Sequence, residues 1–129
     1  MSNELPIGSY ERGLEKGKEM LGSEYFAERM AHLRALDPDF ERLMVSFIHG
    51  GMYSRSVLDQ GTRELCAISG LVCIGAEDQL RIHCQVALKS GIDQRKVLEA
   101  ILQMSVYAGF ARVMKAVEIF HAASEGIEA

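Results

Sequence analysis

Almost everywhere along this chain, apolar side chains recur at spacings of three and four, and no stretch alternates with a period of two. A buried helical face repeats every 3.6 residues and a buried strand face every two, so the pattern leaves an all-α fold. The residues that start and stop helices fall between these stripes. Ser9 can cap a first helix over 10–20, ending near Gly22, and Ser23 can cap a second in which Phe26, Met30 and Leu33 share one stripe. Asp37-Pro38 is a sharper start, because Asp accepts from free amides of the first turn and Pro loses nothing there by lacking an N–H. That helix carries Phe40, Leu43, Met44, Phe47 and Ile48, and Gly50-Gly51 is expected to end it. A loop over 50–59 follows, with Asp59 or Thr62 capping the next helix.

Residues 62–75 are apolar around most of the circumference, through Leu65, Ala67, Ile68, Leu71, Val72 and Ile74. Such a helix lies at the centre of a bundle or in a subunit interface. Glu77-Asp78 place two acids at the positive end of the next helix, which runs to Ser90 and stops at Gly91. Asp93 caps a last long segment that Gly109 splits into helices over 94–108 and 110–123. The expectation is a compact bundle of six or seven helices, one domain over residues 9–126, preceded by a loose terminus over 1–8 that contains Pro6 and Gly8.

Composition narrows the function classes. With 129 residues, 48% apolar and 25% charged, the chain is one globular domain in size. The net charge of −4 and the lack of a basic block argue against nucleic acid as a partner. The opening MSNELPIGSYERG has neither the charged nor the apolar region of a signal peptide. The longest apolar run, Leu65–Ala76, is broken by Ser69, Gly70 and Gly75 and is too short for a bilayer, so no membrane partner and a cytoplasmic location are expected. Cys66, Cys73 and Cys84 are odd in number and form no C-x-x-C pair, which argues against a disulfide framework or a zinc knuckle. Their apolar neighbours favour small buried side chains over reactive thiols. No H-E-x-x-H or Cys/His ligand spacing is present, so no protein-bound metal is expected. The phosphate-binding and serine-nucleophile signatures are missing as well.

Three places hold polar residues that packing does not demand. In His49-Gly50-Gly51-Met52-Tyr53-Ser54-Arg55, glycines allow close backbone approach while His, Tyr and Arg supply a proton carrier and anion contacts. Taken alone, that segment reads more simply as a helix cap with a solvated loop. Arg63-Glu64 can solvate the first turn of the apolar helix, or Arg63 can grip a carboxylate with two parallel hydrogen bonds. His83 has Gln79, Leu80, Val86 and Ala87 as its helical neighbours, which puts it at or beside the buried stripe. A lone histidine there is more often a packed core residue than a catalyst. His32 and His121 lie on outer helices with no supporting cluster.

Together the three places resemble a known pattern. Tyr53-Ser-Arg-Ser-Val-Leu-Asp-Gln-Gly-Thr-Arg-Glu-Leu65 resembles the YSR-x-x-L-D-x-x-T-R-E-L segment of gamma-carboxymuconolactone decarboxylase-like proteins. Ala76-Glu-Asp-Gln-Leu-Arg-Ile-His83 is similar to their x-E-x-x-L-R-x-H helix start, and Leu88–Gly91, Val97–Gln103 and Val106–Phe110 extend the likeness over residues 40–120. The resemblance implies an alkylhydroperoxidase D-like helical bundle that assembles as a homo-oligomer, a trimer or hexamer. Members of the wider superfamily carry a C-x-x-C-x-x-x-H motif for thiol redox chemistry. Here the two cysteine positions hold Ala76 and Gln79, leaving only His83, so peroxidase activity is not expected.

What the resemblance implies instead is cofactor-free decarboxylation of a carboxylated unsaturated lactone. The ring carbonyl takes up the electron pair left by carbon dioxide, so the protein need only bind carboxylate, stabilise the dienolate oxygen and deliver one proton. On this reading His83 carries the proton and Arg55 and Arg63 contact the anion. His49, Glu64, Gly51, Tyr53 and Tyr107 complete the set that lines or orients the pocket. The pathway decarboxylases tend to have an aromatic residue, an acid and Trp where this chain has His49, Gly51 and Tyr53, and a small residue or Pro and then Asn around Ala111 and Met114. A lost acid and an added histidine alter pocket charge, so the substrate can instead be another β-keto or vinylogous acid, or a lactone that is opened, isomerised or cyclised. A non-catalytic oligomer that binds small carboxylates is the alternative from outside enzymology.

Overall fold

The computed structural model describes residues 8–126, and every regular element among them is helical. In chain order these are α1 (Tyr10–Leu21), α2 (Ser23–Leu36), α3 (Pro38–Met44), a π-helix (Val45–Met52), α4 (Gln60–Ile74), α5 (Glu77–Lys89), α6 (Gln94–Gln103), α7 (Ser105–Ala108) and α8 (Phe110–Glu125). The π-helix continues α3 without a break, and α7 follows α6 across Met104 alone, so the nine segments make seven rods. The terminus expected to be loose lies outside the described residues apart from Gly8. No described helix is long and apolar enough to cross a membrane. The chain divides into two compact units, Met1–Leu58 and Asp59–Ala129.

In the first unit, α1 packs against the π-helix through missing side chains. A methyl group on Gly13 would strike the Val45 carbonyl, one on Gly17 would enter the Phe26 ring, and one on Gly50 would meet the Ser9 carbonyl. This close approach builds a small core of Phe26, Met30 and Val45, flanked by Tyr10, Leu14, Leu21 and Leu33. Ser9 caps α1 as expected, its side chain accepting from the Arg12 amide at 3.2 Å. Two expectations need correction. Ser23 is not the cap of α2: the cap is Gly22, at φ 88°, with no side-chain hydrogen bond, and Ser23 is the first helical residue. Gly50-Gly51 do not stop the third rod either. Both are buried inside a π-helix, closed by the Tyr53 amide donating to the Ile48 carbonyl at 2.8 Å. Glycine ends helices where it can turn left-handed in solvent; here the Ser9 carbonyl, at the start of α1, stands where a Cβ on Gly50 would go.

The second unit holds the larger core. Ile68 and Val72 of α4, Leu80, Cys84, Ala87 and Leu88 of α5, Val97 and Ile101 of α6, and Val113, Ala116, Phe120 and Ala123 of α8 pack together. Asp59 caps α4 by accepting from the Thr62 amide at 2.7 Å, and Asp93 caps α6 through the Arg95 amide at 2.7 Å. Gly75 and Gly91 take the positive φ that closes α4 and α5. Gly109, at φ 88°, splits the last segment as expected. A further break falls at Met104, where the Met104 and Tyr107 amides reach back only three residues. The apolar circumference of α4 is covered on one side only: Glu64, Ile68 and Val72 are buried, while Ile74 is 71% exposed.

Candidate active site

Glu64, Ile68 and Val72 stand four residues apart on α4, so the carboxylate heads the stripe that faces the core. Glu64 is only 1% exposed. An ionised carboxylate survives such burial only when its oxygens find donors. Both do. Gln60, one turn earlier on the same helix, donates from Nε2 to Oε1 at 3.2 Å, and His83 Nδ1 lies 2.9 Å from Oε2. The amide oxygen of Gln60 is buried and has no hydrogen-bond partner among the described residues.

His83 reaches Glu64 from the middle of α5, beside the buried stripe of Leu80, Cys84 and Ala87. Its side chain keeps 19% of its surface exposed. An ionised Glu64 can only accept, and toward it the Nδ1–H of His83 donates and fixes the ring. Nε2 is then the nitrogen left to work. It accepts a proton when the ring is neutral and donates one when the ring is charged. The neighbouring Cys84 thiol is pushed up to about 12 by burial, reinforced by the Glu64 charge, so it stays a neutral thiol at physiological pH.

The structure brings together two of the residues singled out in the sequence, Glu64 and His83, and adds Gln60. Arg63 sits beside Glu64 in the first turn of α4, half-buried. Tyr107 lies on α7, 75% exposed near Val106, and takes no part in the Glu64–His83 hydrogen bonds. The others belong to the first unit. There His49 is buried in the π-helix, edge-on to Phe26 at 5.5 Å and tilted toward Tyr53 at 6.1 Å between ring centroids. Gly51 is buried in the same π-helix, and its end is tied down by Ser54 Oγ donating to the His49 carbonyl at 2.6 Å. Arg55 follows, its amide donating to the Met52 carbonyl at 3.2 Å. The expected loop is thus shorter, since its first three residues are helical.

Cys66 is exposed, which corrects the uniform burial expected of the cysteines; Cys73 is half-buried with its thiol 3.4 Å from the Met104 sulfur. Ala76 is the N-cap of α5 and makes no side-chain cap, and Gln79 is exposed.

Sequence reasoning missed two features. Gln60 was legible in principle, as an amide one helical turn before an acid. The other is Glu41, 2% exposed in the first unit, where Tyr10 donates to it at 2.7 Å and Arg34 at 3.4 Å. Its hydrogen bond and charge raise the Tyr10 pKa, and Arg42 stacks over the Tyr10 ring at 4.6 Å. Nothing in the local sequence marks Glu41 as buried.

Fold and site together define a class: an all-helical protein in which a buried carboxylate of one helix meets a histidine of the next. Residues 38–122 match the carboxymuconolactone decarboxylase family, and the chain belongs to that family. It is 34% identical over 100 residues to the 4-carboxymuconolactone decarboxylase of Acinetobacter baylyi, covering 78% of this chain and 75% of that one. An uncharacterized 15.0 kDa protein of Paracoccus denitrificans is 32% identical over 115 residues, 85% of this chain and 86% of its own. A nitrosuccinic acid decarboxylase of Metarhizium robertsii is 25% identical over 108 residues, 84% and 76%.

Proposed function

We propose that this protein is a carboxy-lyase that decarboxylates a carboxylated unsaturated lactone, of the 4-carboxymuconolactone type, or a related oxo acid, without a cofactor. The observation that carries the reading is the 2.9 Å bond between His83 Nδ1 and the buried Glu64. Two relatives that are named as decarboxylases of different acids support the reaction class more strongly than any one substrate.

The chemistry asks little of the protein. The carbon–carbon bond to the leaving carboxylate breaks, and its electron pair moves into the conjugated carbonyl to give a dienolate. Carbon dioxide leaves as that bond breaks, and a proton then adds to carbon. His83, charged and held through Nδ1 by Glu64, supplies that proton from Nε2. In this scheme Glu64 fixes the tautomer and steadies the imidazolium, as the aspartate of a catalytic triad does. Arg63, one residue before Glu64 on α4, is the proposed carboxylate contact in this unit. Thiol peroxidase chemistry has no place in this scheme, because Ala76 and Gln79 hold the positions where it would need sulfur and Cys84 is kept protonated. The reading keeps the homo-oligomer that family likeness implies, supported by the exposed Ile74, Val106, Tyr107, Phe110 and Met114. Sedimentation at the mass of one chain would contradict that part.

The substrate is tested by incubating the pure protein with 4-carboxymuconolactone and following carbon dioxide. Release above the spontaneous rate is expected. No release, together with thermal stabilisation by the same compound, would replace the enzyme by a carboxylate-binding protein.

A further inference from the structure

A cavity lies in the second unit, and neither Glu64 nor His83 lines it. It occupies about 210 Å³ where the end of α4, the start of α5 and the first half of α8 meet. Gly75, at its edge, stands eleven residues beyond Glu64, about 16 Å along a helix, while Leu80 in its floor is one turn before His83 on α5. The floor is apolar: Val72, Leu80 and Ala116 are each 2% exposed, with Leu71 and Ile119 beside them. The rim carries three charges, Arg112 and Lys115 from α8 and Glu77 from α5.

Arg112 is the unusual member. Its guanidinium lies against Gly75, in space that the Cβ of any other residue would occupy. A cation close to the last turn of a helix can be explained by the dipole alone. The dipole leaves the guanidinium donors unused, since among the described residues Arg112 makes neither a hydrogen bond nor an ion pair. Lys115 is scarcely better matched, with Glu118 at 3.9 Å and both side chains more than half exposed. With Glu118 beside Lys115, Arg112 is the rim cation that has no carboxylate partner among the described residues, and it stands over an apolar floor. An apolar cavity of about 150 Å³ already holds a benzene ring, so this one has room for a ring or short acyl chain with a carboxylate at the mouth.

We propose that this cavity is a second binding site, for a small monocarboxylate with an apolar body, held by Arg112 and Lys115 and separate from the Glu64–His83 site. The apolar body fills the space between Leu71, Leu80 and Ile119, and the carboxylate meets the guanidinium in the two-pronged geometry that Arg favours. A ligand seated there spans α4, α5 and α8, the three helices that carry most of the second unit's core, so its binding stabilises that unit.

Benzoate is the probe, followed by amide chemical shifts on the intact protein. Residues 71–80 and 111–119 are expected to shift together and saturate. The R112Q/K115Q variant should weaken binding at least about tenfold, because charge-assisted hydrogen bonds are lost. A111F, which adds bulk at the mouth without changing charge, should weaken it comparably, whereas H83Q should leave the affinity unchanged. Shifts spread over the surface without saturation would overturn the proposal. So would full binding in R112Q/K115Q and A111F, or loss of binding in H83Q, which would place the benzoate at the histidine instead.

Discussion

At the scale of single residues, the proposed chemistry turns on what Glu64 does to its neighbours. It has two oxygens and two donors, so replacing it is not a local change. In E64Q the amide presents one acceptor and one donor, and the Nδ1–H of His83 loses its charged partner. We expect turnover to fall about tenfold or more. Imidazole 15N spectra should show the Nδ1–H tautomer of the wild type giving way to a mixture; an unchanged tautomer in E64Q would mean that Glu64 does not set the ring. Cys84 gives a second test. Its thiol is pushed up to about 12, against an ordinary 9.0. The folded state therefore holds this proton more tightly than the unfolded chain does. The contribution is intact below about pH 9 and is lost as the pH climbs from 9 toward 12, where the unfolded chain ionises first. C84S should flatten that alkaline decline in stability. At neutral pH a thiol reagent should modify the exposed Cys66 readily and reach Cys84 only on unfolding.

At the scale of elements, helix starts and stops read well wherever the signal was chemical. Asp37, Asp59 and Asp93 cap the helices they were expected to cap, and Gly75, Gly91 and Gly109 take the positive φ that ends or breaks a rod. The failures came where packing overrode local chemistry. Gly50-Gly51 look like a stop in sequence, but Ser9 at the start of α1 closes on Gly50 and the chain winds on as a π-helix. Ser23 looks like a cap, but Gly22 takes the cap conformation. The glycine seam makes its own prediction. G17A drives a methyl into the Phe26 ring and should cost about 1–3 kcal/mol by overpacking, read as a lowered melting temperature. An unchanged melting temperature would mean that α1 shifts freely on α2.

At the scale of the whole molecule, the all-helical class was legible because 3.6-residue periodicity is a property of the entire chain. The site was legible only in part. His83 and Glu64 are nineteen positions apart, and no spacing rule on one helix joins them. Their conjunction needs α4 and α5 to fold back at Gly75, which makes a buried carboxylate and a half-buried histidine into one group. Gln60 went unnoticed because its role exists only once Glu64 is buried. Tyr107 fits the family pattern yet stands 75% exposed on α7. Periodicity reports which face is apolar, whereas chemistry depends on which faces meet.

The proposed function stands or falls on His83, held by Glu64, carrying the proton. Its most direct test is the rate of carbon dioxide release from 4-carboxymuconolactone by the wild type and by folded H83Q, measured side by side. The account predicts a loss of about 10²-fold or more in kcat in H83Q, with the melting temperature little changed. Equal turnover in a folded H83Q protein would contradict it.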